Sequence, residues 1–350
     1  MGIKNFSKVF TPKIIKFKDI ETKKIAVDAY LLLYQSALGS SSVNLLTDPD
    51  GNPTIHINVI IGKCLNFIKN KNECCWVFDY HEKDYIPVDK LYELTIRKKK
   101  KEMAYTKLQL LEKINEGNKK TKKYKELFSS DEESDDDLSA ENPETVGDIQ
   151  LQINKKEKEV FSMNDIILND CKFILECFNI KFTTAPKGIE AEYVCAKLTN
   201  NGYDITWSCD TDALLYGSKK LVREIKSKGK KVFQQYTLDD VLKDNKIDII
   251  NLQKIGIILG SDHAPKTPGI GPGTILKKYK NVELSEEQIN AVNVFSKEFN
   301  ITDLQYNGHK DISKKEYIEK INKLIDWLVI KKGFNRDKIQ NRINKVIKNI

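Results

Sequence analysis

Three short apolar runs in this chain each close on an aspartate, and helical sequence follows every time. KIAVD ends at Asp28, CCWVFD at Asp79 and DITWSCD at Asp210, with Asp212 two residues further on. Apolar runs of this length, about 4–8 residues between turn signals, read as buried strands. Between them, YLLLYQS, INVIIGKCLNFIKNKN, the segment from Met163 to Phe178 and IEAEYVCAKLTNNG carry helical patterning. The last of these stops at Asn201-Gly202, a helix C-terminal signal. IKFTTA adds another strand, and LVREI with KVFQQYT reads as a hairpin around SKGKK. Strand and helix in alternation predict an α/β fold, a mostly parallel twisted sheet with helices on both faces. In such a sheet the carboxyl ends of the strands line the crevice where ligands bind.

The acids gather at that edge. Glu190 and Glu192 open the helix that follows IKFTTA, and Asp262 sits in GSD beside a Gly/Pro-rich turn. Any one of these carboxylates serves equally well as a cap for backbone N–H groups. Seven of them along one edge repel one another unless a cation lies between them. Hard divalent ions such as Mg²⁺ take oxygen ligands and keep part of their water. Two such ions about 4 Å apart activate a water and stabilise a leaving oxygen in phosphodiester hydrolysis. Softer metals fit poorly, because the four histidines are scattered and the seven cysteines lack zinc spacing. An odd cysteine count without paired motifs predicts reduced thiols. His263 is expected at the surface or beside the ligands, and His81 in a loop.

Net charge is modest, 58 basic against 50 acidic residues for +8, but it conceals segregation. Twelve Lys or Arg face three Glu between Arg97 and Lys125. The stretch FSSDEESDDDLSAENPETVGD then holds nine acids and no base. The run RKKKK continues a helical segment, whose basic face needs either solvent or a polyanion. The acidic, Ser-rich stretch is expected to be disordered. No apolar run approaches the ~18 residues of a membrane span. MGIKNFSKVF lacks a secretory apolar core, and Phe6 breaks the myristoylation pattern. An intracellular site, nuclear or cytoplasmic, is expected.

These motifs resemble those of the flap endonuclease/XPG family of structure-selective 5′ nucleases. MGIKNF is similar to the family's start, IAVDAYLLLYQ and WVFD to its first acidic motifs, and APKGIEAEYVCAKL to its paired-glutamate stretch. SCDTDALLYGS resembles its D-x-D motif, and ILGSDHAPKTPGIGP its last acid with a helix-two-turn-helix. The resemblance implies a PIN-like nuclease core with a helical arch. It makes Asp28, Asp79, Glu190, Glu192, Asp210, Asp212 and Asp262 metal ligands, with Asp28 and Asp210 central to catalysis. Lys90 and Arg97, seven apart, would contact the scissile phosphate. Gly2, Tyr34, Lys98, Lys99, Lys100, Lys101, Gly269, Gly271 and Gly273 would contact DNA. Two Mg²⁺ ions are implied, with Mn²⁺ as a substitute and K⁺ at the helix-two-turn-helix.

The sequence departs from the pattern in places. YHEKDYIP replaces the glycine and prolines expected after Asp79, His263 replaces a tyrosine, and one extra residue precedes the glutamate pair. The expected division is a nuclease region over 1–103, arch continuation and acidic insert over 104–162, a second nuclease region with the helix-two-turn-helix over 163–282, and a helical C-terminal extension over 283–350. The implied partner is branched or flapped duplex DNA, met by a monomer. A sliding clamp is a further candidate partner, although the C-terminus shows no clear clamp-binding peptide. A non-catalytic branched-DNA scaffold and a 5′ exoribonuclease are the competing readings.

Overall fold

The computed structural model describes residues 3, 5–38, 47–81, 91–115, 152–153, 156, 164–227 and 229–347. Gly2, Lys90, the Arg97 side chain and the acidic stretch lie outside the described residues. The chain opens with one helical turn, α1 (Phe6–Val9), and a short strand, β1 (Lys13–Ile15). β2 (Lys24–Asp28) leads into α2 (Ala29–Leu38) and α3 (Ile55–Lys69), and β3 (Glu73–Phe78) is followed by the long α4 (Leu91–Asn115). Next come α5 (Asp165–Cys177), β4 (Lys181–Thr184), α6 (Ala191–Asn200), β5 (Ile205–Trp207) and α7 (Asp212–Leu215). The hairpin of β6 (Lys220–Ser227) and β7 (Lys230–Thr237) precedes α8 (Leu238–Asn245), α9 (Ile249–Leu259), α10 (Ile275–Lys278) and α11 (Glu286–Val294). β8 (Tyr306–Asn307), α12 (Lys314–Ile330) and α13 (Arg336–Ile347) complete the described chain.

The strands form one eight-stranded sheet in the order β1-β7-β6-β5-β2-β3-β4-β8. Its centre, β6-β5-β2-β3-β4, is parallel throughout. Both margins are antiparallel: β7 and β1 on one side, β8 on the other. The edge strands β1 and β8 have no sequence signal, because three and two residues are too few to show alternation. β8 closes on β4 because the next residue is Gly308. It holds φ +91°, and a Cβ there would strike the Ile180 carbonyl.

Continuous apolar strands follow from burial on both faces. On β3, Cys74, Trp76 and Phe78 join the larger core, while Cys75 and Val77 face the opposite layer. On β2, Ile25 and Val27 oppose Ala26 in the same way. The larger core also takes Ile167 and Ile174 of α5, Leu324 and Leu328 of α12, and Ile339 and Ile343 of α13. The C-terminal helices are thus part of the main core. α12 starts where Ser313 and Glu316 form a reciprocal capping box. All seven cysteines are free thiols, and six of them are buried. Among the described residues no helix is long and apolar enough to cross a membrane.

One buried polar cluster joins distant parts of the chain. Lys332, in the turn after α12, lies 3.2 Å from Asp48 and 2.8 Å from Asp170. Asp170 also meets His56 Nε2 at 3.0 Å. All four residues are buried.

Candidate active site

Strand order decides where the acids go. The chain leaves β2 towards β3 and β4, then crosses back to lay β5 on the other side of β2. The boundary between β2 and β5 is therefore the topological switch point, where open α/β sheets bind ligands. Asp28 is the last residue of β2, and Asp210 follows β5 by three residues. Asp79 follows β3 directly, Glu190 is the N-cap residue of α6, and Glu192 lies in that helix's first turn. Asp212 opens α7, and Asp262 follows α9.

Hydrogen bonds fix several of these side chains. Asp28 Oδ1 accepts from the Leu31 amide at 3.2 Å, and Asp28 Oδ2 from the Ser208 hydroxyl at 2.8 Å. Asp210 Oδ1 accepts from the Asp212 amide at 2.8 Å, which holds the D-x-D loop tightly turned. Asp79 Oδ1 accepts from the Ala191 amide at 3.0 Å, tying the end of β3 to the start of α6. Glu190 Oε2 accepts from the Tyr216 phenol at 3.1 Å. His263 is buried rather than superficial, with Nε2 3.8 Å from the same Glu190 oxygen and its ring edge-on to Phe295. His81 stands at the surface, 3.5 Å from Asp165.

The electrostatics show that the acids share one neighbourhood. Burial, then the charge of Asp79, pushes Asp28 up to about 7, against the lowering effect of Ser208. Burial and Asp262 raise Asp210, and burial with Asp210, Asp262 and Glu190 raises Asp212 well above the ordinary range. The Tyr216 phenol is pushed up by burial and by Glu190, Glu192 and Asp212. Carboxylates desolvated and repelling one another in this way favour a cation among them.

The donor chemistry fits a hard divalent ion. Asp212 Oδ1 is buried and has no hydrogen-bond partner, although Asp212 is only 4% exposed. An acceptor so placed suits an ion better than an apolar wall. Among the described residues, no three His, Cys, Asp or Glu form a group able to hold a metal ion. Mg²⁺ takes one or two carboxylates directly and fills its other positions with water.

Other candidate contacts are more dispersed. Tyr34 is half-buried on α2, the helix that leaves Asp28. Lys98, Lys99 and Lys100 are exposed on α4 and Lys101 is partly exposed, while Ala104, Leu108 and Leu111 of the same helix are buried. Leu108 and Leu111 pack with Ile153. The backbone of Arg97 belongs to α4 as well. Gly269, Gly271 and Gly273 precede α10, and a Cβ on any of them would meet nothing within 4 Å. Only Gly269, with φ +73°, needs glycine for its backbone.

Sequence reasoning missed the residues that hold these acids in place. Ser208 and Thr211 left no signal, and Tyr216 had only its position four residues after Asp212, one turn along a helix. Thr211 Oγ1 accepts from the Ile3 amide at 3.0 Å, so the N-terminal segment is tied to the D-x-D loop. Arg223 Nε donates to the Cys209 carbonyl at 2.9 Å. Lys63 of α3 pairs with Glu224 and lies 5.0 Å from the Trp207 ring centroid.

Comparison with known proteins gives a consistent picture. The family models described as XPG N-terminal domain and XPG I-region match residues 1–104 and 179–262. Flap endonuclease 1 of Nanoarchaeum equitans is 30% identical over 295 residues, covering 80% of this chain and 75% of that protein. Flap endonuclease 1 of Sulfurisphaera tokodaii is 27% identical over 360 residues, covering 96% and 92%. The solved flap endonuclease-1 from Methanococcus jannaschii has TM-score 0.65 and 23% identity over 98% of this chain and 97% of that one. The catalytic core of Rad2 in complex with DNA substrate has TM-score 0.62 and 17% identity over 100% of both chains.

Proposed function

The chain belongs to the flap endonuclease/XPG family and is a structure-selective 5′ nuclease of DNA replication and repair, and from that premise we propose how its residues divide the work. Its partner is branched or flapped duplex DNA, cut at phosphodiester bonds within a 5′ flap, with 5′ exonuclease activity as well. The observation that carries this reading is the meeting of Asp28 and the Asp210 loop at the switch point, where burial and mutual repulsion raise all three aspartates.

Asp28, Asp79, Glu190, Glu192, Asp210, Asp212 and Asp262 would hold two Mg²⁺ ions, or Mn²⁺ in their place. Such ions supply an activated water and offset charge on the departing 3′ oxygen. The chain itself does the positioning. Tyr216 holds Glu190, and the Leu31 amide and Ser208 hydroxyl hold Asp28. Lys90 and Arg97 would meet the negative charge that develops on the phosphoryl oxygens. The solvated row Lys98–Lys101 would track the backbone of a single strand threaded past α4. Tyr34 would stack on a base near the junction, and Gly2 would contact DNA. The open space beside Gly269, Gly271 and Gly273 would let a duplex phosphate approach the backbone, with K⁺ assisting. The protein works as a monomer at intracellular DNA.

The test is a panel of labelled flap, nick, bubble, four-way junction and single strand with Mg²⁺, mapped at nucleotide resolution. Cleavage near the base of the 5′ flap is expected. Asp28→Ala and Asp210→Ala should abolish it while DNA binding stays measurable by gel shift. Absence of cleavage with every divalent metal would overturn the reading, and preference for an RNA flap of the same sequence would redirect it to RNA.

A further inference from the structure

Ser208 is the first residue beyond β5, and its residue exposure is 2%. Its amide still pairs with the Val222 carbonyl at 3.3 Å, so the sheet fixes where the side chain begins. Its Oγ lies 2.8 Å from Asp28 Oδ2 and 3.0 Å from the Asp210 amide nitrogen. A backbone amide can only donate, so the hydroxyl accepts from Asp210 and commits its single proton to Asp28. The Leu31 amide donates to the other oxygen, Asp28 Oδ1, at 3.2 Å. Each oxygen of Asp28 therefore has a donor of its own.

The D-x-D loop is held elsewhere too, but by other neighbours. Arg223 grips the Cys209 carbonyl, Ile3 the Thr211 hydroxyl, and Cys209 Sγ lies 3.2 Å from the Glu224 carbonyl. None of those contacts reaches β2. The Ser208 hydroxyl does, spanning the boundary between β2 and β5 and touching one acid directly and the next through its backbone. Without it, Asp28 Oδ2 would lose the donor that aims it, and the loop would lose its tie to that acid.

We propose that Ser208 is a positioning residue of the nuclease centre, the hydroxyl that sets the spacing between Asp28 and the Asp210 loop for divalent-ion binding. This rests on the metal-dependent nuclease reading above. Partners in this role typically contribute 10–100-fold to metal affinity or activity, and that scale, about 10–100-fold, sets the expected effect.

Ser208→Ala, Ser208→Thr and Ser208→Cys are compared with the wild type in full-length protein. Mn²⁺ affinity is measured by calorimetry without DNA, flap affinity in EDTA, and single-turnover cleavage with Mn²⁺. Ser208→Ala should weaken Mn²⁺ binding by about 10–100-fold while flap affinity in EDTA is unchanged. Ser208→Thr, which keeps the hydroxyl, should restore Mn²⁺ affinity, and Ser208→Cys, a weaker donor, should fall between. Wild-type Mn²⁺ affinity in Ser208→Ala overturns the proposal, as does a folded Ser208→Thr no better than Ser208→Ala. If Ser208→Ala fails to fold, Ser208→Cys decides, and wild-type affinity there overturns the proposal. A wild type that cuts no flap, with Mn²⁺ affinity still following the hydroxyl series, would sink the nuclease reading and leave the role of Ser208 standing.

Discussion

Tyr216 tests whether the side chains around the acids matter as much as the acids themselves. Its phenol reaches Glu190 Oε2, and its ring stacks on Tyr193 with centroids 4.8 Å apart. Tyr216→Phe keeps the stack and removes only the donor. Mn²⁺ affinity, read by calorimetry on the metal-free protein, is expected to fall by about 10-fold with little change in melting temperature. An unchanged affinity would mean that Glu190 needs no phenol to hold it. At this scale the acids were legible because each follows an apolar run or opens a helix, a pattern local in sequence. Their supports were not. The Ser208–Asp28 bond spans 180 residues, and no local spacing announces such a contact.

Among the elements, the turn between α12 and α13 carries the clearest prediction. Lys332 neutralises Asp48 and Asp170 in a buried setting, so Lys332→Met leaves two buried carboxylates without that ammonium. Breaking a buried pair on one side costs about 3–5 kcal/mol, and denaturant melts should show a loss of that order. Replacing Asp48 by Asn in the same chain should recover part of it. The pH dependence has a definite sign. Burial works against the Asp48 carboxylate, but hydrogen bonds from Asn52 and Lys332 outweigh it and hold the group below its ordinary 3.8. Its contribution is therefore present above 3.8 and fades as pH falls through the lower folded value. Burial likewise opposes the Lys332 ammonium, yet contacts with Asp170 and Asp48 raise it above 10.5. Its contribution is full below 10.5 and is lost as pH rises through the folded value. The stability gap between wild type and Lys332→Met should stay level near neutrality and narrow in acid. A gap that widened below pH 3.8 would contradict the assignment. The helices and central strands were readable from periodicity, whereas this latch joins positions 284 residues apart and the edge strands are too short to betray themselves.

For the whole molecule, the question is whether the C-terminal helices can be removed. Their apolar positions Ile321, Leu324, Ile325, Leu328, Ile339 and Ile343 belong to the same core as β2 and β3. Cutting the chain after Ile312 would uncover that surface and remove Lys332 with it. Such a truncation is expected to aggregate or to lose its cooperative melt, measured by calorimetry and light scattering. A well-folded, monomeric truncation would show instead that the remaining layers are self-sufficient.

The grip of Thr211 on the Ile3 amide has a practical side. It brings Ile3 against the loop that bears Asp210 and Asp212. A segment fused ahead of Ile3 by cloning would join the chain close to that loop and compete with the nucleic acid for room. Affinity handles therefore belong behind Ile350, and a leader left uncleaved is a ready explanation for a preparation that binds DNA yet turns over poorly.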